Sequence, residues 1–209
     1  MLNFFVVRND TTILCCALDI GADMNDLNES LTIIGAWKDD VDQIKVFSEL
    51  VIASKLCLHN GGTLIFCGNG GSSAMASHLA AEFICKVSKT KMPLKSISLT
   101  ESPTSFSAIS NDFGFEHTVT RQLMALANSE DLVIFLSTSG SSTNIVKGIE
   151  WAKENNIKSS LWTSLKYEGL DNIVDFLIKA PTFSTARAQE LHLVLGHMLA
   201  QEIENDYLL

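Results

Sequence analysis

The sequence predicts an α/β protein, a parallel sheet covered by helices on both faces. Three observations carry this. Short apolar runs at Thr63–Cys67, Ser96–Leu99, Leu132–Leu136, Lys158–Thr163 and Asp175–Ile178 alternate with longer segments of helical periodicity, as βαβ units require. Two of those runs pass abruptly into turns of small residues that open helices, and ligands of parallel sheets sit beyond such strand ends. The chain has 209 residues, 46% of them apolar, enough for one domain with a sizeable core.

Taken in order, residues 1–23 stand apart. Phe4–Val7 and Ile13–Ala17 read either as an extra hairpin or as an extension upstream of Met24, and the single domain is expected over 24–209. Asn25 to Asn60 reads as helix, with one stripe on Leu27, Leu31, Ile34 and Trp37 and another on Val41, Ile44, Phe47, Val51 and Leu56. Asp39 and Asp40 cap the second stripe, and Gly61-Gly62 ends it. The run 63–67 enters the turn from Gly68 to Ser73, followed by a helix over about Ser73–Val87. After Ser96–Leu99 a loop containing Pro103 leads to the turn signal Asn111-Asp-Phe-Gly-Phe115 and a helix over about Glu116–Ala127. The last helix is expected over about Thr185–Asn205.

The run 132–136 enters a turn in which six of seven residues, Ser137 to Thr143, carry hydroxyls; Gly140 is the exception. Ile145, Ile149 and Ala152 then recur at helical spacing. A helix start offers unpaired N–H groups and the positive end of the dipole, both suited to an anion. One or two hydroxyls would cap a helix; six point to a phosphate cradle. The turn after 63–67 is neither a dinucleotide fingerprint, because Ser73 stands where the third glycine belongs, nor a P-loop.

Composition excludes several functions. A net charge of −9 without a basic run argues against nucleic-acid or anionic-membrane partners. Five cysteines without a C-x-x-C pair imply no disulfide framework and suit a reducing cytoplasm. No apolar run is long enough for a membrane span, and the acidic interruptions near the N-terminus argue against a signal peptide.

His78 and Glu82, four apart, share a helix face. Alone they read as a surface ion pair. The last helix adds Gln189, Glu190, His192 and His197. His78, Glu82, Gln189 and His197 make a candidate site for a divalent metal such as zinc. Gln189 and His197 are separated by about 12 Å of helix rise, so they reach one ion only across a bend or an offset. Alternatively, Glu82 and His197 act as general base and acid. His192 lies about 140° around the helix from His197 and reads as structural.

These segments together carry a resemblance. Phe66-Cys-Gly-Asn-Gly-Gly-Ser-Ser73 with His78 and Glu82, then Asn111 to Phe115, Ser137-Thr-Ser-Gly140, and Thr185 to His192 with His197 resemble the phosphoheptose isomerase family of the sugar-isomerase (SIS) superfamily, from about residue 25 to 205. The resemblance implies a three-layer αβα sandwich with a five-stranded parallel sheet and N-terminal helices, assembled as a homotetramer with active sites at subunit boundaries. It implies interconversion of sedoheptulose 7-phosphate and D-glycero-D-manno-heptose 7-phosphate through an enediol, for lipopolysaccharide or another surface glycan. It implies substrate contacts on Asn69, Gly70, Gly71, Glu82, Asn111, Asp112, Ser137, Thr138, Ser139, Ser142 and Gln189. Catalysis falls on Glu82 and His197, and one zinc per subunit on His78, Glu82, Gln189 and His197. The chain departs from the family at Ala81, often acidic, at Lys86, usually Arg, and at Thr163–Gly169, which lacks the usual glycines. A non-catalytic SIS protein that binds a phosphosugar or a replication initiator is a competing reading, as is an isomerase for another phosphosugar. Retention of His78, Glu82, Gln189 and His197 favours an enzyme.

Overall fold

The computed structural model describes residues 25–169 and 171–208, so the expectation for residues 1–23 lies outside the described residues. Five strands form one sheet: β1 (Leu64–Gly68), β2 (Ser96–Ser98), β3 (Leu132–Leu136), β4 (Lys158–Ser164) and β5 (Phe176–Ala180). Their order is β2-β1-β3-β4-β5, and every neighbouring pair is parallel. β1 and β3 are buried along their whole length. That is why they are continuous apolar runs and not alternating ones.

Helices cover both faces. They are α1 (Asn25–Lys38), α2 (Val41–His59), α3 (Gly71–Ile84), α4 (Pro103–Phe113), α5 (Thr120–Leu126), α6 (Thr143–Glu154) and α7 (Thr185–Glu204). Alternate strand residues feed two cores. Leu64, Phe66, Ile134 and Trp162 pack under α1, α2, α3 and α7, whereas Ile65, Val133, Phe135 and Leu161 pack under α5 and α6. The result is the expected three-layer sandwich. No described helix is long and apolar enough to cross a membrane.

The boundaries follow local chemistry. Asp40 caps α2 by accepting from Gln43 N at 3.0 Å, and Gly61, at φ 81°, takes the chain out of that helix. The segment around Pro103 differs from expectation: it is a helix, not a loop. Ser102 caps it by accepting from Ser105 N at 3.2 Å, and Pro103 opens it. Phe106, Ile109 and Phe113 recur along it at helical spacing, although none of its residues is buried. Asn111 and Asp112 therefore stand on its last turn. The helix expected over 116–127 is a short 3-10 turn at Phe115–His117 followed by the seven-residue α5. α3 begins at Gly71 and ends at Ile84, earlier at both ends than the periodicity suggested.

α3 and α7 lie side by side and run in the same direction. Ser72 meets Gln189, His78 meets His197, and Glu204 meets Val87 to Lys89. The helices approach so closely that a Cβ on Gly196 would fall 2.3 Å from a methyl of Leu79, itself fully buried. At the far end, Glu204 accepts from the backbone N–H groups of Val87, Ser88 and Lys89 and from the Ser88 hydroxyl. Lys91 donates to the carbonyls of Phe83 and Cys85, groups that the end of α3 leaves unpaired. Gly196→Ala is expected to destabilise the protein by about 1–3 kcal/mol through overpacking. Urea denaturation checks this, and unchanged stability would mean that the helices part at little cost.

Candidate active site

The sheet order reverses direction between β1 and β3, the topological switch point at which parallel sheets bind ligands. Gly68 of β1 is in register with Leu136 of β3, so the two small-residue turns emerge side by side. In the first, Gly70 takes φ 55° and precedes α3 without a side-chain cap. A Cβ on Gly71 would lie 2.9 Å from Gln189 Oε1, so a larger residue there would displace the Gln189 amide.

The second turn is held by its own hydroxyls. Ser137 Oγ accepts from Gly140 N at 3.1 Å, and Ser139 Oγ accepts from Ser141 N at 3.3 Å. The Thr138 carbonyl accepts from Ser164 N, Ser164 Oγ and Thr163 Oγ1, which pins the turn to β4. Gly140 has φ 63°, and a Cβ there would overlap the Tyr167 ring. Ser142 occupies the N-cap of α6 with no side-chain capping bond. Beside the first turn opens a cavity of about 570 Å³ lined by Asn69, Gly70, Ser73, Thr100, Phe106 and Phe115. Asn111 and Asp112 are exposed at the end of α4, bonded to each other at 2.8 Å.

A second cluster lies further along α3 and α7. His78 Nε2 is 2.8 Å from His197 Nε2 and 3.6 Å from Glu82 Oε1. One ligand atom from each of the three residues fits within a 4.8 Å span. The side chain of Glu82 is only 19% exposed, against 47% for His78. Gln189 is not at this level. α7 is one continuous helix, and the Gln189 amide donates to Ser72 Oγ at 3.3 Å beside the first turn. The structure thus brings His78, Glu82 and His197 together and leaves Gln189 with Gly70 and Gly71. Sequence reasoning missed Asn144 and Thr118, both fully buried, which bond to each other and, through Asn144, to Asn69. A polar residue inside the first turn of an otherwise apolar helix face was the available signal.

A family model described as the SIS domain matches residues 31–159. A phosphoheptose isomerase of Thermodesulfovibrio yellowstonii is 38% identical over 169 residues, covering 81% of this chain and 83% of its own. This chain belongs to the phosphoheptose isomerase family. Phosphoheptose isomerase 1 of Campylobacter jejuni is 41% identical over 152 residues, 72% of this chain and 81% of that one. Among solved structures, phosphoheptose isomerase GmhA from Neisseria gonorrhoeae aligns with a TM-score of 0.78 at 29% identity, over 86% of this chain and 96% of that one. The family and fold implied by the sequence motifs therefore hold, and the chain is an enzyme of that family, which the relatives favour over a non-catalytic SIS protein.

His192, on the same helix as His197, is a core residue of the isomerase. It is fully buried, and its Nε2–H donates to the Thr163 carbonyl at 2.9 Å. Nδ1 has no partner. Protonating it would bury an N–H with nothing to accept it, so burial pushes the imidazole down to about 4, only partly offset by the Thr163 bond. The unfolded chain titrates near the usual 6.5 and so binds more protons than the folded one between the two values. Stability is then full above the unfolded value and falls as pH drops from about 6.5 towards 4, by roughly 3 kcal/mol from this group. Urea denaturation at pH 7 and pH 5 is expected to show the loss in wild type and a smaller one in His192→Gln. Equal pH dependence in both would remove His192 as its source.

Proposed function

We propose that this chain interconverts sedoheptulose 7-phosphate and D-glycero-D-manno-heptose 7-phosphate in the cytoplasm, as a zinc-containing homotetramer that supplies heptose for lipopolysaccharide or another surface glycan. The observation that carries this reading is the convergence of Glu82 and His197, from distant parts of the sequence, on one point in a chain of this family. The described cysteines, Cys57, Cys67 and Cys85, are free, which fits a reducing compartment.

Aldose–ketose exchange needs a base at the carbon beside the carbonyl and a group to move protons between the oxygens. Glu82 removes the proton from that carbon and returns it to the neighbouring one, through an enediol. His197 protonates the carbonyl oxygen and takes the proton from the adjacent hydroxyl. Without metal, of two Nε2 atoms 2.8 Å apart one donates and the other accepts, so the tautomers of His78 and His197 are coupled. The phosphate rests on Ser137, Thr138, Ser139 and Ser142, at the start of α6, where dipole and N–H groups favour an anion. Asn69, Gly70, Gly71, Asn111, Asp112 and Gln189 hold the sugar.

The donor set fits a metal. Two imidazoles and a carboxylate suit zinc, whose ligand atoms stand about 3.4 Å apart in a tetrahedron. His78 and Glu82 meet that spacing at 3.6 Å, and the two imidazole nitrogens at 2.8 Å need only part slightly. His78, Glu82 and His197 would hold the ion, which would polarise the sugar oxygens; ligation and proton transfer would then compete for Glu82 and His197. Gln189 completes the set from a neighbouring protomer, since within one chain it lies about 12 Å along α7 from His197.

The same arithmetic supports sites at subunit boundaries. Glu82 lies eleven residues after Gly71, about 16 Å down α3 from the small-residue turns. Six carbon–carbon bonds of about 1.5 Å stretch to at most about 9 Å, so within one protomer only a fully extended heptose phosphate, met by an extended Glu82 side chain, would bridge the two places. In this reading a second copy faces its cradle to the first copy's Glu82 and His197. Helices α1, α2 and α7 expose Leu31, Val41, Ile52 and Met198 and border an apolar cavity of about 740 Å³, a surface suited to a subunit contact.

The test is incubation with sedoheptulose 7-phosphate, with zinc content measured on the same samples. Wild type is expected to turn over and to contain about one zinc per chain, and Glu82→Gln to lose at least about 10²-fold in rate. Equal rates would remove Glu82 from the mechanism.

A further inference from the structure

The two small-residue turns are bolted together by one pair of side-chain amides. Asn69 Nδ2 donates to Asn144 Oδ1 at 2.9 Å, and Asn144 Nδ2 donates to Asn69 Oδ1 at 2.9 Å. Asn144 is fully buried in the first turn of α6, two residues after Ser142. Its other N–H reaches Thr118 Oγ1 at 3.1 Å. The Thr118 hydroxyl in turn donates to the Phe115 carbonyl at 2.8 Å.

This chain of bonds has a fixed direction. A carbonyl only accepts, so Thr118 must donate to Phe115 and accept from Asn144. That settles which end of the Asn144 amide is nitrogen, and the reciprocal pair then settles Asn69. The Asn69 side chain, which lines the cavity beside the first turn, is therefore held in one orientation by a partner that no solvent reaches. A ligand meeting Asn69 finds it already ordered, and an ordered donor costs less to bind than one that must be fixed on arrival.

We propose that Asn144 is a positioning residue for the isomerase reaction: it clamps the Asn69 amide and sets the spacing between the Gly-rich turn and the hydroxyl-rich turn. The inference rests on the proposed function, in which Asn69 faces the sugar and Ser137 to Ser142 hold its phosphate. It needs no contact between Asn144 and substrate.

The test is a double-mutant cycle with Asn69→Ala, Asn144→Ala and both together, read two ways. The first readout is kcat/KM for sedoheptulose 7-phosphate. Each single variant is expected to lose about 10-fold, and the double variant no more than Asn69→Ala alone, because residues acting as a unit are not additive. Multiplied losses of about 100-fold in the double variant would mean independent roles and overturn the proposal. The second readout, without substrate, is backbone hydrogen exchange over residues 68–73. Exchange is expected to rise equally in both single variants and no further in the double; unchanged exchange in Asn144→Ala would overturn the clamp. Because this readout needs no sugar, absent wild-type turnover would count against the functional reading and leave the clamp judged by exchange. If Asn144→Ala does not fold, Asn144→Leu keeps most of the volume without the hydrogen bonds and is held to the same outcomes.

Discussion

The close, parallel packing of α3 against α7 is the constraint on which the rest of the site depends. Gly196 against Leu79 allows the approach. At that separation the imidazoles of His78 and His197 touch and Glu82 joins them. Neither helix carries the whole cluster. The bonds from Glu204 and Lys91 at the far end oppose a slide of one helix along the other, which would separate the pair. A glycine inside a helix costs roughly 0.5–1 kcal/mol relative to alanine, a small loss for holding the two imidazoles in contact.

The same parallel arrangement separates the chemistry from the cradle. α3 starts at the switch point of the sheet and runs back along it, carrying Glu82 away from the turns that suit a phosphate. Gln189 stays level with those turns because it precedes His197 by two helical turns on an unbroken α7. In the proposed function one chain thus holds two half-sites at different levels of one helix pair. Assembly is then part of the proposed chemistry itself, and the apolar faces of α1, α2 and α7 supply the surface for it.

Much of this was legible in the sequence. The buried strands, the hydroxyl-rich turn and the Asp40 cap each rest on short-range patterns that burial and hydrogen bonding impose directly. His192 was separable from His197 by its angle around the helix, and its full burial bears that out. What escaped notice was short or long-range. α4 fully buries no residue, and its short stripe of Phe106, Ile109 and Phe113 was outweighed by Pro103, which also opens helices. Asn144 acts through partners at positions 69 and 118, and such long-range pairing leaves no trace in spacing. The separation of Gln189 from His197 was visible as helix rise, but the direction in which α3 runs beside α7 had to come from coordinates.

Subunit complementation tests the central claim most directly. Glu82→Gln removes the base, and Ser139→Asp sets a carboxylate in the phosphate cradle, so each variant alone is expected to be inactive. Mixed in equal amounts and allowed to exchange subunits, they should recover up to about a quarter of wild-type activity, because that share of shared sites draws one intact half from each variant. Mixed oligomers that form and stay inactive would show that base and cradle must belong to the same chain, and would contradict the account.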